Sequence, residues 1–278
     1  MSDARQITVD PSLHIQEQSG TEKQVRPYIK GPGRVEMIIV SAICLGLVTL
    51  SGVVAVQATK MWALIVCSIT IFILFLGRWV SGTALGILIG NRNLMSLSRF
   101  QMVLWTVLIF SAYLTMALCR VRSGAKDPLT IGMDWHLWAL MGISTTSLVG
   151  VPLLLGAKTQ KEVHPDAINK AERQLKETIA PENYIGSLYA NKTMNEASLC
   201  DIFQGDEVGN TSCIDVAKMQ MFLFTLVGLV SYGAAVDHVL TGVDYSLMPT
   251  VPDGLVALMG ISHAGYLASK TADHTQVK

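Results

Sequence analysis

One ionisable side chain, His263, stands inside the otherwise uncharged stretch Gly254–Ser269. An ionisable group among apolar residues is costly to place and is therefore a functional candidate, as a proton carrier or as half of a polar pair. The competing role is that of a hydrogen-bonded packing histidine. Two serines share its surroundings, in Gly142-Ile143-Ser144 and in Gly260-Ile261-Ser262. A Ser–His dyad would require hydrogen-bond reach between the two side chains, together with donors for an oxyanion. Three further polar types recur in pairs: Gln101 and Gln220, Thr106 and Thr225, Tyr113 and Tyr232. Met102, Thr106 and Tyr113 lie at i, i+4 and i+11, which is one stripe on a helix, and Met221, Thr225 and Tyr232 repeat that spacing. Buried hydroxyls in an apolar medium need partners, so such stripes should face protein and form a polar seam with Ser144, Ser262 and His263.

The elements that must position these residues are long and apolar. The 278-residue chain is 50% hydrophobic, 15% charged and formally neutral. Its charges are unevenly placed. Met37–Ala58, Met61–Gly77, Phe100–Cys119, Trp135–Ala157, Met219–Val236 and Gly254–Ser269 hold 116 residues without a single Asp, Glu, Lys or Arg, and the remaining 162 residues are 26% charged. About 20 apolar residues span a bilayer core as helix. The expected fold is therefore all-α, a polytopic membrane protein with six transmembrane helices. This excludes a soluble enzyme, a disordered chain and a nucleic-acid binder driven by net positive charge. With the N-terminus cytoplasmic, Lys and Arg divide 17 to 4 in favour of the cytoplasmic side. The expectation is an integral protein of the plasma (inner) membrane with both termini cytoplasmic.

Past Gly77, the sequence allows two readings. Arg78 and Trp79 can sit at the interface, or one long helix can continue with Gly82, Gly86 and Gly90 packed along one face. Arg78, Arg99 and Lys218 are candidate interfacial anchors, the last two able to reach lipid phosphates. Gly142 and Gly260 are candidate helix-packing positions.

Residues 99–106 (RFQMVLWT) match residues 218–225 (KMQMFLFT), with Tyr113 matching Tyr232, all at an offset of 119. Residues 137–144 (LWALMGIS) match residues 255–262 (LVALMGIS) in seven of eight positions at an offset of 118. Each unit contains two spans, so both copies enter from the same side, as a parallel duplication and not an inverted repeat. The sequence resembles a group of prokaryotic multi-pass membrane proteins that carry this duplicated module, Ser-x-x-Arg-x-Gln-Met-x-x-Trp-Thr followed by Leu-Met-Gly-Ile-Ser. The likeness covers residues 78–268 and implies fold and topology alone; the second copy departs from it at Lys218 and Phe224. Six helices with Ser144 and His263 also invite comparison with rhomboid-type intramembrane serine proteases. However, Thr145 follows Ser144 where that pattern carries Gly, and the second span lacks polar His and Asn donors.

The expected organisation is a cytoplasmic tail (1–34), an N-terminal hairpin (35–90), repeat 1 (91–157), a cytoplasmic loop with an amphipathic helix (158–217), repeat 2 (218–269) and a tail (270–278). In the loop, Ile168, Ala171, Leu175 and Ile179 share one helical face suited to the membrane surface or a partner helix, or to a solvated loop. Its second part is acidic, with Lys192 alone against six carboxylates. The five cysteines form no CxxC spacing and are expected to be free thiols. No cofactor or metal motif is present, and no catalytic domain fits the loop. The expected function is a self-associating pore or ion-conducting module, not an enzyme. The alternative is a non-conducting scaffold or sensor that recruits a cytoplasmic protein partner. The expected partners are the lipid bilayer and a second copy of the chain.

Overall fold

The computed structural model describes residues 33–54 and 57–274; the expected tail 1–34 falls almost entirely outside the described residues. Among the described residues the chain is mostly helical, with seven α-helices: α1 (Arg34–Val54), α2 (Ala58–Ser81), α3 (Leu97–Arg122), α4 (Trp135–Gly156), α5 (Pro165–Leu175), α6 (Val216–Thr241) and α7 (Asp253–Thr271). Each of the six uncharged segments falls mainly within one of the long helices. Five of them, α1 to α4 and α6, are long and apolar enough to cross a membrane. α7 has 19 residues but is diluted by Gly254, Gly260, Gly265, Ser262, His263 and Tyr266, and its apolarity falls short of the other five.

The outer surface of the helices is apolar, and polar side chains are set among the apolar residues of the interior. Ile38 and Leu45 on α1, Leu153 on α4, Val230 on α6 and Ile261 on α7 are exposed, Leu153 and Ile261 to 72%. Ser98, Gln101, Ser111, Thr115, Ser144, Ser147, Thr225, Ser262 and His263 are buried. Extended apolar surface is costly in water and natural in lipid. The five helices are compatible with a multi-pass membrane protein.

Helices α3, α4, α7 and α6 pack as a ring, each against the next, with α3 beside α6 and α4 beside α7. Trp105, Met116, Leu137, Leu140 and Met259 fill its centre at 0 to 1% exposure. The α1–α2 hairpin lies against α3 through Met61, Ile65 and Cys119, and the Trp62 indole N–H donates to Ser111 Oγ at 2.9 Å. The matched positions of the two hairpins occupy unlike surroundings. Gln101, Thr225 and Tyr232 are buried, while Gln220 is exposed and Thr106 and Tyr113 are half-buried. Ser144 and Ser262 are both buried. The buried face of α6 is turned about one residue relative to that of α3, because α3 must also face α2.

The glycines after Arg78 do not share a helix face. α2 ends at Ser81, capped by Gly82 at φ 76°; Gly86 opens a 3-10 turn (Gly86–Leu88), and Gly90 donates to the Leu94 carbonyl. The Arg78 guanidinium donates to the Gly82 carbonyl, which places it at the helix end. This returning turn runs so close to α2 that a Cβ on Gly77 would lie 2.5 Å from the Ala84 carbonyl oxygen. Nothing lies within 4 Å of a Cβ on Gly142, and a Cβ on Gly260 would meet Ile143 at 3.8 Å, so neither is a site of close helix approach. Gly77→Ala is expected to lower stability by about 1–3 kcal/mol through overpacking. Gly142→Ala should leave it unchanged or raise it by up to about 1 kcal/mol. Unfolding of the purified protein in detergent measures both.

Candidate functional site

The acidic loop is a folded cap over one end of the helix ring. α5 starts at Pro165 behind a His164 N-cap and stops at Lys176, whose φ is 59°. Its apolar face is not left for a membrane or partner. Ala171, Ile168, Leu175 and Ile179 pack with Val208, Tyr184 and Tyr189 as a core of the cap's own. A two-stranded hairpin, β1 (Tyr184–Ile185) and β2 (Leu188–Tyr189), turns at Gly186 with φ 59°.

The cap is fastened by buried ion pairs that centre on Asp206. Its carboxylate meets Arg92 at 2.5 Å, Lys218 at 3.2 Å and Lys270 at 2.7 Å. Lys270 also pairs at 2.6 Å with Asp215, the N-cap of α6. Arg92 comes from the α2–α3 connection, Lys218 from the first turn of α6 and Lys270 from the last turn of α7. One loop carboxylate thus ties three parts of the helical body. A second buried pair, Lys158 with Glu207 at 2.5 Å, adds the end of α4. Burial alone would raise the pKa of Asp206, but Lys218, Arg92 and Lys270 outweigh it and hold the carboxyl well below the usual range. Lys218 is therefore not a lipid-facing anchor. It is 5% exposed and donates to the Gln204 carbonyl at 2.6 Å. Arg99 is half-buried, with one N–H to the Ile87 carbonyl at 3.3 Å.

A polar seam runs from this cluster into the ring. Lys270 Nζ sits 4.6 Å from the Tyr266 ring centroid. One and two turns deeper, His263 Nδ1 and Ser147 Oγ are 2.6 Å apart, and Gln101 donates to Thr225 Oγ1, which donates to the Met221 carbonyl. Trp105 and Tyr232 follow with ring centroids 6.2 Å apart. Tyr113 lies apart, its hydroxyl donating to the Leu129 carbonyl at 2.9 Å. Among the described residues, Gln101 Oε1, Trp105 Nε1, Ser144 Oγ, Tyr232 OH, Ser262 Oγ and His263 Nε2 are buried without a hydrogen-bond partner. At the far end, His136 bridges Asp134, at 2.7 Å, and Asp253, joining the starts of α4 and α7.

The structure joins Gln101, Thr225 and His263 to the seam and gives His263 a partner, Ser147, that the repeat pattern does not mark. Neither Ser144 nor Ser262 bonds His263. Ser147 and His263 are 0 and 3% exposed, so this Ser–His pair lies inside the helix ring. Arg92 and Lys270 were legible only as charges flanking spans, and Asp206 and Asp215 only as members of the acidic part of the loop; the excess of carboxylates there over Lys192 was the one signal that they needed cations elsewhere. All five cysteines are free thiols. No family model matches this chain, and no curated protein or solved structure shows significant similarity to it.

Asp206→Asn would leave Arg92 and Lys218 buried without a counter-charge, at an expected cost of about 3–5 kcal/mol. Limited proteolysis at pH 7 should then cut within residues 158–217. Glu182→Gln, which breaks a half-exposed pair with Lys192, should cost at most about 1 kcal/mol. Asp206 has a folded-state pKa below its ordinary value of about 4, so its contribution is complete above that value and is lost as the pH falls below it. Wild-type cap release should accordingly begin only below about pH 4. An unchanged cleavage pattern in Asp206→Asn would refute this account of the cap.

Proposed function

We propose that the chain is a six-span, non-conducting scaffold of the plasma membrane that holds a rigid cap on its cytoplasmic face for a protein partner. The single observation that carries this reading is the buried Asp206 cluster, which fixes the cap to the helix ends. The centre of the ring supports it too, being filled by Trp105, Met116, Leu137, Leu140 and Met259. The cap exposes Ile185, Met194, Leu199 and Ile214, large apolar side chains of the kind that partner surfaces use. α7 counts as the sixth span on this reading, since it runs in the ring beside α4 and α6. The side-by-side placing of α3 with α6 and α4 with α7 supports the parallel duplication. Self-association is assigned to the uncovered outer faces, of which α1 leaves the most.

A second reading, ion or proton passage, is favoured by the unpartnered polar atoms of the seam. The two are separated by reconstitution. Liposomes bearing the wild type, His263→Ala or Thr225→Ala should all show potassium and proton flux at the rate of empty liposomes. A saturable flux that either substitution reduces would overturn the scaffold. The orientation is tested separately, through the exposed thiols of Cys200 and Cys213. A membrane-impermeant maleimide should label them in inverted vesicles and not in intact cells; the reverse result would turn the topology over.

A further inference from the structure

We propose that a cleft between the start of α3 and the end of α4 binds one anionic phospholipid, with its phosphate at Arg99 and one acyl chain laid against α4. The cleft holds about 640 Å³, within the roughly 300–1,000 Å³ typical of small-molecule sites. Its two ends differ in chemistry. One is apolar, walled by Met102 and Val103 of α3 and by Leu148, Val151, Pro152 and Leu155 of α4. The other carries Arg92, Arg99, Lys218, Asp201 and Asp206, three cations against two carboxylates.

Both carboxylates are already satisfied. Asp206 is held by its three cations, and Asp201 accepts from the backbone N–H groups of Met95, at 3.1 Å, and Ser198, at 2.9 Å. Arg99 is in a different position. It has one hydrogen bond, to a neutral carbonyl, and among the described residues no carboxylate forms an ion pair with it. Its guanidinium keeps donors in a fork that matches a phosphate. It also stands in the first turn of α3, whose N-cap, Ser96, makes no side-chain capping bond. The helix start therefore adds positive potential at the same place.

The apolar end decides between a lipid and a free anion. It is formed by α3 and α4, two of the helices apolar enough to cross a membrane. A soluble phosphate would satisfy Arg99 and leave that wall uncovered; a phospholipid covers both ends at once. The inference rests on the reading of α3 and α4 as spans, and full-length protein that stays dispersed without detergent would remove that reading itself.

The test uses purified full-length protein in phosphatidylcholine vesicles that contain a minor fraction of phosphatidylglycerol with a photoreactive acyl chain. Labelling is expected on the α4 peptide around Val151–Leu155, and unlabelled phosphatidylglycerol, not phosphatidylcholine, should compete it away. Arg99→Gln should weaken labelling about tenfold, the loss of one charge-assisted hydrogen bond, and Arg99→Lys should restore most of it. Val151→Trp fills the apolar end and should abolish labelling; if that variant fails to fold, the Arg99 pair carries the test. Equal labelling by a phosphatidylcholine probe, or no effect of Arg99→Gln, would overturn the site as an anionic-lipid site. Competition by inorganic phosphate as effective as by phosphatidylglycerol would make it a small-anion site and overturn the acyl part.

Discussion

The structure depends on a carboxylate that could not be buried alone. Asp206 lies in a loop, yet it is 7% exposed and meets Arg92, Lys218 and Lys270. Removing any charge in such a group from water costs several kcal/mol, and mutual attraction offsets that cost only when the geometry is complete. The consequence is directional: the cap, the α2–α3 connection, α6 and α7 have to arrive together. The cluster is weak evidence of net stability and better evidence of a fixed arrangement. It explains why a loop of about 60 residues, with small local cores such as that around Val208, sits in one place on the helix ends.

The helical body follows the opposite logic. Apolar side chains cover the outside, and hydroxyls, an amide and an imidazole are set among the apolar residues of the interior. Without a hydrophobic drive between helices in lipid, close packing and interhelical hydrogen bonds must hold them. Ser147 with His263, Gln101 with Thr225 and Trp62 with Ser111 perform that task between α4 and α7, α3 and α6, and α2 and α3. The seam is then first a set of staples between helices. Its unpartnered atoms are what remains when such groups are set in a filled core.

Much of the helical scaffold was legible in the residues. A run of 16 to 23 uncharged residues has few ways to satisfy its backbone other than a helix, and each of the six runs falls mainly within one helix. The seam was legible in part. Gln101, Thr225, Tyr232, Ser144, Ser262 and His263 are all buried, but Gln220 is exposed, because matching sequence does not guarantee a matching rotation when α3 packs against α2 far more extensively than α6 does. Ser147 stood outside the repeated blocks and gave no sign of its partnership with His263.

The basic residues mark the boundary most clearly. Their positions between the apolar helices are a property of composition along the sequence. Their tasks are not. Arg92, Lys158, Lys218 and Lys270 read as residues flanking spans, and all four turn inward onto cap carboxylates, while among the described residues Arg99 has no such partner. The sequence by itself determined where the long apolar helices form, since that depends on local composition. Only the tertiary structure decided which of those charges face each other, since an ion pair between residues 92 and 206 is set by three-dimensional distance and burial, and neither is written in the spacing along the chain.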